Sequence, residues 1–286
     1  MLIRIDHTTT YTYQNPPRSI VQTLRLTPRG SDAQHIRHWD IETNVDARLR
    51  KGEDAFGNIT HTLYVDKPSE ELSLRVRGEV ETYDLAGVVP PLVERLQPMV
   101  YCRDTDLTHA DEAIRALAQD QSSKAATPLE KLHSLNRHLF ETLTFEIGAT
   151  TAAHTAAQVL SLGRGVCQDY AHLFIATARA MGIPARYVSG HMVRADGQTE
   201  QEAAHGWAEA HVADLGWVGF DPANGVCPTD SYVRVAVGLD YLGAAPVRGI
   251  SYGGGSEHLS VSLDVRDARA ARQQQSQSQT QNQGQQ

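Results

Sequence analysis

From residue 72 to residue 80 the chain changes character at every step. Leu72, Leu74, Val76, Gly78 and Val80 alternate with Ser73, Arg75, Arg77 and Glu79. A period of two places one side chain in a core and the next in water, which predicts a half-buried antiparallel strand over 72–82. Weaker alternation, with threonine and valine enriched, predicts strands at 8–13, 20–27, 36–45 and 59–65. Asn15-Pro16-Pro17, Pro28-Arg29-Gly30, Phe56-Gly57-Asn58 and Lys67-Pro68-Ser69 supply the turns. Residues 1 to about 85 therefore read as a small antiparallel sandwich or half-barrel.

The period then lengthens. Pro90-Pro91 and Pro98 mark a linker, and helical spacing follows at 111–119 and from Thr127-Pro128 to about 143. In the second of these, Leu129, Leu132, Leu135, Leu139 and Leu143 recur every three or four residues. A short helix over 155–162 ends at Gly163. In the next, over 168–181, Tyr170, Leu173, Phe174, Thr177, Ala178 and Met181 share a face before Gly182 and Pro184 stop it. Strands are predicted at 185–193, 205–213 and 217–221, with 233–237 and 259–265 completing that sheet. Gln273 to Gln286 holds no apolar residue and predicts disorder. The fold class is α+β: an N-terminal antiparallel β-sandwich over 1–90, a core of helices packed on an antiparallel sheet over 91–267, and a glutamine- and serine-rich tail over 268–286.

Charge narrows the partners. Lysine and arginine number 26 and aspartate and glutamate 34, so 26 − 34 = −8, a balance that disfavours nucleic acid and anionic membranes. No apolar run reaches the length of a membrane span, and residues 1–8 lack a signal-peptide core, so a cytoplasmic location is expected. Three cysteines, with no Cys-x-x-Cys pair, give no disulfide framework.

One of them sits where chemistry would place it. Cys167 opens the 168–181 helix after Gly163-Arg164-Gly165-Val166, where unpaired N–H groups and the positive dipole end favour a thiolate. His205 and Asp221 fall on the next two paired strands. If Ala213-Asp214-Leu215 is a three-residue loop closed by Gly216, Val212 faces Gly216 and Asp221 faces Trp207. Asp221 is then diagonal to His205 on one face, at roughly 7–8 Å between backbones. A two-residue loop would turn it to the other face. In this arrangement Asp221 orients the imidazole, and Trp207 shields it. The Cys167 N–H is the natural first oxyanion donor, with Gln158 and Tyr187 as candidates for the second. Asp169 reads as a first-turn carboxylate favouring the helix dipole. His191, His205, His211 and Cys227 form the alternative, a metal list, but they lack a recognised ligand spacing. No metal or cofactor is expected. Arg186 and Arg194 are candidates for a substrate carboxylate. Cys102 and Cys227 read as incidental thiols.

Gly165-Val166-Cys167-Gln168-Asp169-Tyr170-Ala171, Ala204-His205-Gly206-Trp207-Ala208-Glu209 and Phe220-Asp221-Pro222 together resemble the bacterial transglutaminase-like superfamily, with its papain-like core. The N-terminal strands are similar to the β-domain that precedes this core. The segments 235–241 and 246–249 are similar to the region that follows it. The resemblance implies Cys167 as nucleophile, His205 as general base and acid, and Asp221 as orienter, acting on a peptide or protein substrate. Val166 stands where animal transglutaminases carry tryptophan, which favours a cysteine peptidase or amidase over a cross-linking enzyme. Transfer of a glutamine acyl group to an amine is the alternative within catalysis. A non-catalytic peptide-binding scaffold is the alternative outside it.

Overall fold

The computed structural model describes residues 1–269 apart from 68 and 93. The expected disordered tail lies, from residue 270 on, outside the described residues. The first strands are β1 (Leu2–Tyr13), β2 (Ser19–Thr27), β3 (Gln34–Thr43), β4 (Arg48–Glu53), β5 (Ile59–Val65) and β6 (Glu71–Thr82). Helices α1 (Glu112–Ser123), α2 (Pro128–Thr142), α3 (Ala156–Leu162) and α4 (Cys167–Ala180) follow, with a short parallel pair, β7 (Thr144–Phe145) and β8 (Arg164–Gly165), among them. The rest is β9 (Ala185–Met192), β10 (Glu200–Gln201), β11 (His205–Val212), β12 (Gly216–Phe220), β13 (Tyr232–Gly238), the short α5 (Tyr241–Ala244), β14 (Val247–Tyr252) and β15 (Glu257–Asp267).

The helix starts are set by side chains that satisfy otherwise unpaired N–H groups. Asp111 accepts from Ile114 N, while Thr127 with Glu130 and Thr155 with Gln158 form capping boxes. The helices then bury their apolar stripes, Leu132, Leu135 and Leu139 from α2 and Tyr170 to Ala178 from α4, against a sheet ordered β12-β11-β9-β13.

The N-terminal strands form two sheets, β10-β15-β1-β6-β3 and β14-β2-β5-β4, with a shared core of Tyr11, Tyr13, Ile20, Leu24, Leu63, Leu72 and Leu74. Several features depart from the sequence reading, the short β7, β8 and β10 and the longer β14 among them. Strand β4 was not anticipated, because all of its residues are exposed and none alternates; it is an edge strand held by main-chain pairing to β5. The strand expected at 259–265 does not complete the core sheet. As part of β15 it pairs with β1 along its length, and β14 pairs with β2, so the C-terminal strands return to the sandwich. Alternation reports a buried face but not which sheet buries it. Among the described residues no helix is long and apolar enough to cross a membrane.

Strand β1 serves two cores with one face. Tyr11 and Tyr13 fill the sandwich, whereas Ile3 and Ile5 join the cluster around α4. Between them lies His7, packed edge-on against His191 of β9 with ring centroids 5.6 Å apart. The sandwich also grips β13. Gln34 donates to Arg234 O and accepts from its N, and Asn58 does the same at Val237.

His7 and His191 are both buried, and burial pulls their imidazoles down to about 4 and about 3. Both folded values lie below the ordinary value of about 6.5. The unfolded chain therefore takes up protons below about pH 6.5 that the folded chain refuses, so stability is lost as pH falls from there toward 4. The melting temperature should drop on acidification from pH 7.5 to 4.5, and less steeply in His191→Gln. Equal slopes in calorimetry would show that this junction is not pH-sensitive.

Candidate active site

The start of α4 is fixed from both sides. Gly163, at φ 68°, ends α3, and Thr144 N and Glu146 N donate to Gly163 O and Gly165 O, so the chain enters α4 as a β-paired segment. Val166 is the extended N-cap residue. Asp169 Oδ2 accepts from Val166 N at 2.8 Å and from Thr150 Oγ1 at 2.6 Å. A Cβ on Gly165 would lie 2.5 Å from that same oxygen, so the position has room only for glycine. Asp169 is thus a structural cap of the turn, and burial pushes its carboxyl above the usual range against these bonds. Cys167 follows as the first residue of α4, partly exposed.

The imidazole arrives from the sheet. Strands β11 and β12 pair with Val212 opposite Gly216 and Ala208 opposite Phe220, the register that the parity argument requires. Gly216 at φ 81° and Asp214 at φ 68° make the tight three-residue loop. One step beyond β12, Asp221 Oδ2 lies 2.6 Å from His205 Nε2. The Cys167 side chain lies close enough to the imidazole to raise its pKa, and Nδ1 is the ring nitrogen that Asp221 leaves open. Burial alone would lower the His205 pKa, but the Asp221 carboxylate and Cys167 outweigh it and push it up to about 10. This upward shift favours the imidazolium, the form of the ring that a thiol nucleophile needs beside it. Trp207 stacks on His205 at 6.0 Å with 25° between the rings.

Asp221 has no exposed side-chain surface. Besides His205, it accepts from Tyr232 Oη at 2.8 Å, Asn224 Nδ2 at 2.7 Å, and the backbone N–H groups of Ala223 and Asn224. Burial raises the Asp221 carboxyl, and His205, Asn224 and Tyr232 more than reverse that, so it stays below its usual range. Sequence reasoning missed Tyr232 and Asn224. Asn224, in Asp221-Pro222-Ala223-Asn224-Gly225, is legible as a turn residue bonding back to an aspartate. Tyr232 lies on a strand whose pairing to β9 no local pattern specifies.

Other candidates are placed elsewhere. Gln158 is exposed, and its side-chain oxygen accepts from Thr155 N in the α3 capping box. Arg186 is fully buried, paired with Glu209 and Glu94, and stacked 3.8 Å over Trp217; it cannot meet a substrate carboxylate. Glu209 also holds Arg234; burial pushes its carboxyl up, but Arg234 and Arg186 hold it down to about 2, so the glutamate of the His-Gly-Trp-Ala-Glu run braces the sheet. Arg194 is exposed and paired with Asp196. The residues of the metal alternative are not brought together: His191 packs on His7, His205 on Asp221, His211 on Trp217, and Cys227 against Gly87.

A cysteine at the first position of a helix, a sheet-borne His–Asp pair and an N-terminal sandwich together define a papain-like fold. The profile of the transglutaminase-like superfamily matches residues 115–222, and that of the bacterial transglutaminase-like N-terminal region matches residues 3–81. An uncharacterised protein of Mycobacterium leprae is 30% identical over 281 residues, covering 92% of this chain and 98% of that protein. The chain belongs to the transglutaminase-like superfamily. A protein-glutamine gamma-glutamyltransferase of Pseudomonas aeruginosa is 31% identical over 159 residues, 51% of this chain but 22% of that protein. The crystal structure of a candidate cysteine protease from Cytophaga hutchinsonii has the same fold, with a TM-score of 0.76 at 20% identity over 94% of this chain and 91% of that one.

Removing one donor from a buried carboxylate costs about 1.5–3 kcal/mol. Tyr232→Phe should lower the unfolding free energy in urea by about that amount, with an unchanged circular dichroism spectrum. An unaltered midpoint and slope would mean that Asp221 does not depend on the phenol.

Proposed function

We propose that this chain is a cysteine-dependent acyl-transfer enzyme that hydrolyses peptide or peptide-like amide bonds through a thioester at Cys167. The observation that carries this reading is the His205 imidazole, fixed by Asp221 at 2.6 Å and near enough to Cys167 at the start of α4 for the two to interact electrostatically. The thiolate adds to the amide carbonyl carbon and forms a C–S bond. As the C–N bond breaks, the His205 imidazolium gives its proton to the leaving amine. Water then enters, His205 takes its proton, and hydroxide displaces the thiolate to release the acid. Asp221 stays ionised and keeps the ring turned toward the sulfur.

Replacement of that water by an amine is the second reading, and the Pseudomonas relative's name supports it. Val166, in place of the tryptophan that precedes the nucleophile in animal transglutaminases, supports hydrolysis.

Mass spectrometry of Cys167 after incubation with a peptide library should show a trapped acyl group. His205→Ala should lower the rate of its formation by about 10²–10⁴-fold, the span of general acid–base catalysis. Ammonia release with incorporation of an added amine into a protein acceptor would select transamidation. Acyl formation that is unaffected by His205→Ala would remove the proposed mechanism.

A further inference from the structure

Addition of the thiolate to a carbonyl moves the C=O π pair onto oxygen, and that oxygen needs hydrogen-bond donors already in place. The Cys167 N–H is one. As the first amide of α4 it donates to no protein acceptor among the described residues. A second donor completes the pair, and the two side-chain amides in this stretch of chain are turned to other groups. Gln158 caps α3. Gln168 Nε2 reaches Ala152 O at 3.4 Å.

Strand β9 supplies what they do not. Tyr187 stands opposite Ala208 in the β9–β11 register, on the face that packs against α4. Its ring reaches diagonally to Gly206, the residue after His205. A Cβ on Gly206 would lie 2.0 Å from the Tyr187 hydroxyl, so this phenol occupies the space that any side chain at 206 would take. The Tyr187 hydroxyl also lies within electrostatic range of the Cys167 sulfur. The residue is 3% exposed, yet its hydroxyl bonds to no described group and is not among the buried side-chain atoms sealed from solvent without a partner. It is a fixed donor that no described group engages, held against the residue that follows His205.

We propose that the Tyr187 hydroxyl and the Cys167 backbone N–H form the oxyanion hole of this enzyme, an assignment that rests on the acyl-transfer reading above. The phenol acts as a donor only. The electron pair that moves onto the carbonyl oxygen during C–S bond formation is held by the two hydrogen bonds. It returns to re-form C=O as the C–N bond breaks, while the leaving amine takes its proton from His205 and Tyr187 keeps its own. Burial and the neighbouring Cys167 charge raise the phenol's pKa well above the ordinary tyrosine value, which suits a group that must not surrender its proton.

Two reactions at one sulfur separate this role from a structural one. Alkylation by iodoacetamide develops no oxyanion; acylation by 4-nitrophenyl acetate does. Tyr187→Phe should be alkylated at Cys167 at the wild-type rate and acylated on the order of 10²-fold more slowly. Tyr241→Phe removes the neighbouring phenol, 6.0 Å away ring to ring, and should leave both rates unchanged. Equal acylation of Tyr187→Phe and wild type would overturn the assignment. So would equal losses in both reactions, which would mark a packing role, or a loss that follows Tyr241. Wild-type protein that is alkylated but never acylated would overturn the acyl-transfer reading itself.

Discussion

A carboxylate without exposed surface is costly, and Asp221 is tolerated only because every direction around it offers a donor. His205, Asn224, Tyr232 and the backbone of the 221–224 turn converge on it. This constraint organises the rest of the molecule. The His205–Asp221 bond forms only if β11 and β12 keep the register with Val212 opposite Gly216, since a shift by one residue sends Asp221 to the other face. The Tyr232 bond forms only if β13 lies along β9.

Those strands are held from outside the helical core. Strand β13 is an edge of its sheet, and its main chain is bound by the side-chain amides of Gln34 and Asn58 from the sandwich. At the opposite edge, the linker covers β12 through the Val89 N to Trp217 O and Gly219 N to Gly87 O bonds. Across the same sheet, Glu209 of β11 ties Arg186 of β9 to Arg234 of β13, linking the three strands by charge. The N-terminal sandwich is thus a brace for the site, whatever further recognition it provides. Its length serves that purpose, because β1 runs past the sandwich core to insert Ile3 and Ile5 among the helices around α4.

How much of this could be read from the sequence depended on range. Helix boundaries were legible because their causes are local: Asp111, Thr127 and Thr155 are caps, and Gly163 is a left-handed stop. The His205–Asp221 pairing was legible because strand parity and a three-residue loop link the two residues across a short span. Strand β4 was not, because an exposed edge strand needs no apolar alternation. The destination of β15 was not, because alternation in 259–265 fits any sheet with one wet face. Tyr232 and the burial of Arg186 were not, since both depend on pairings between distant segments. Arg186 shows the hazard well: an arginine near a predicted site suggests a ligand clamp until its partners Glu209 and Glu94 are seen.

The proposed chemistry requires the proton between Cys167 and His205 to reside on the imidazole. Nitrogen-15 NMR of the His205 imidazole, assigned by comparison with Cys167→Ala and followed from pH 5 to 11, reads this directly. The expected result is a doubly protonated ring through neutral pH that loses its proton near pH 10, with a marked downward shift when Cys167 is replaced. A ring that is neutral at pH 7.5 and indifferent to Cys167 would contradict the account.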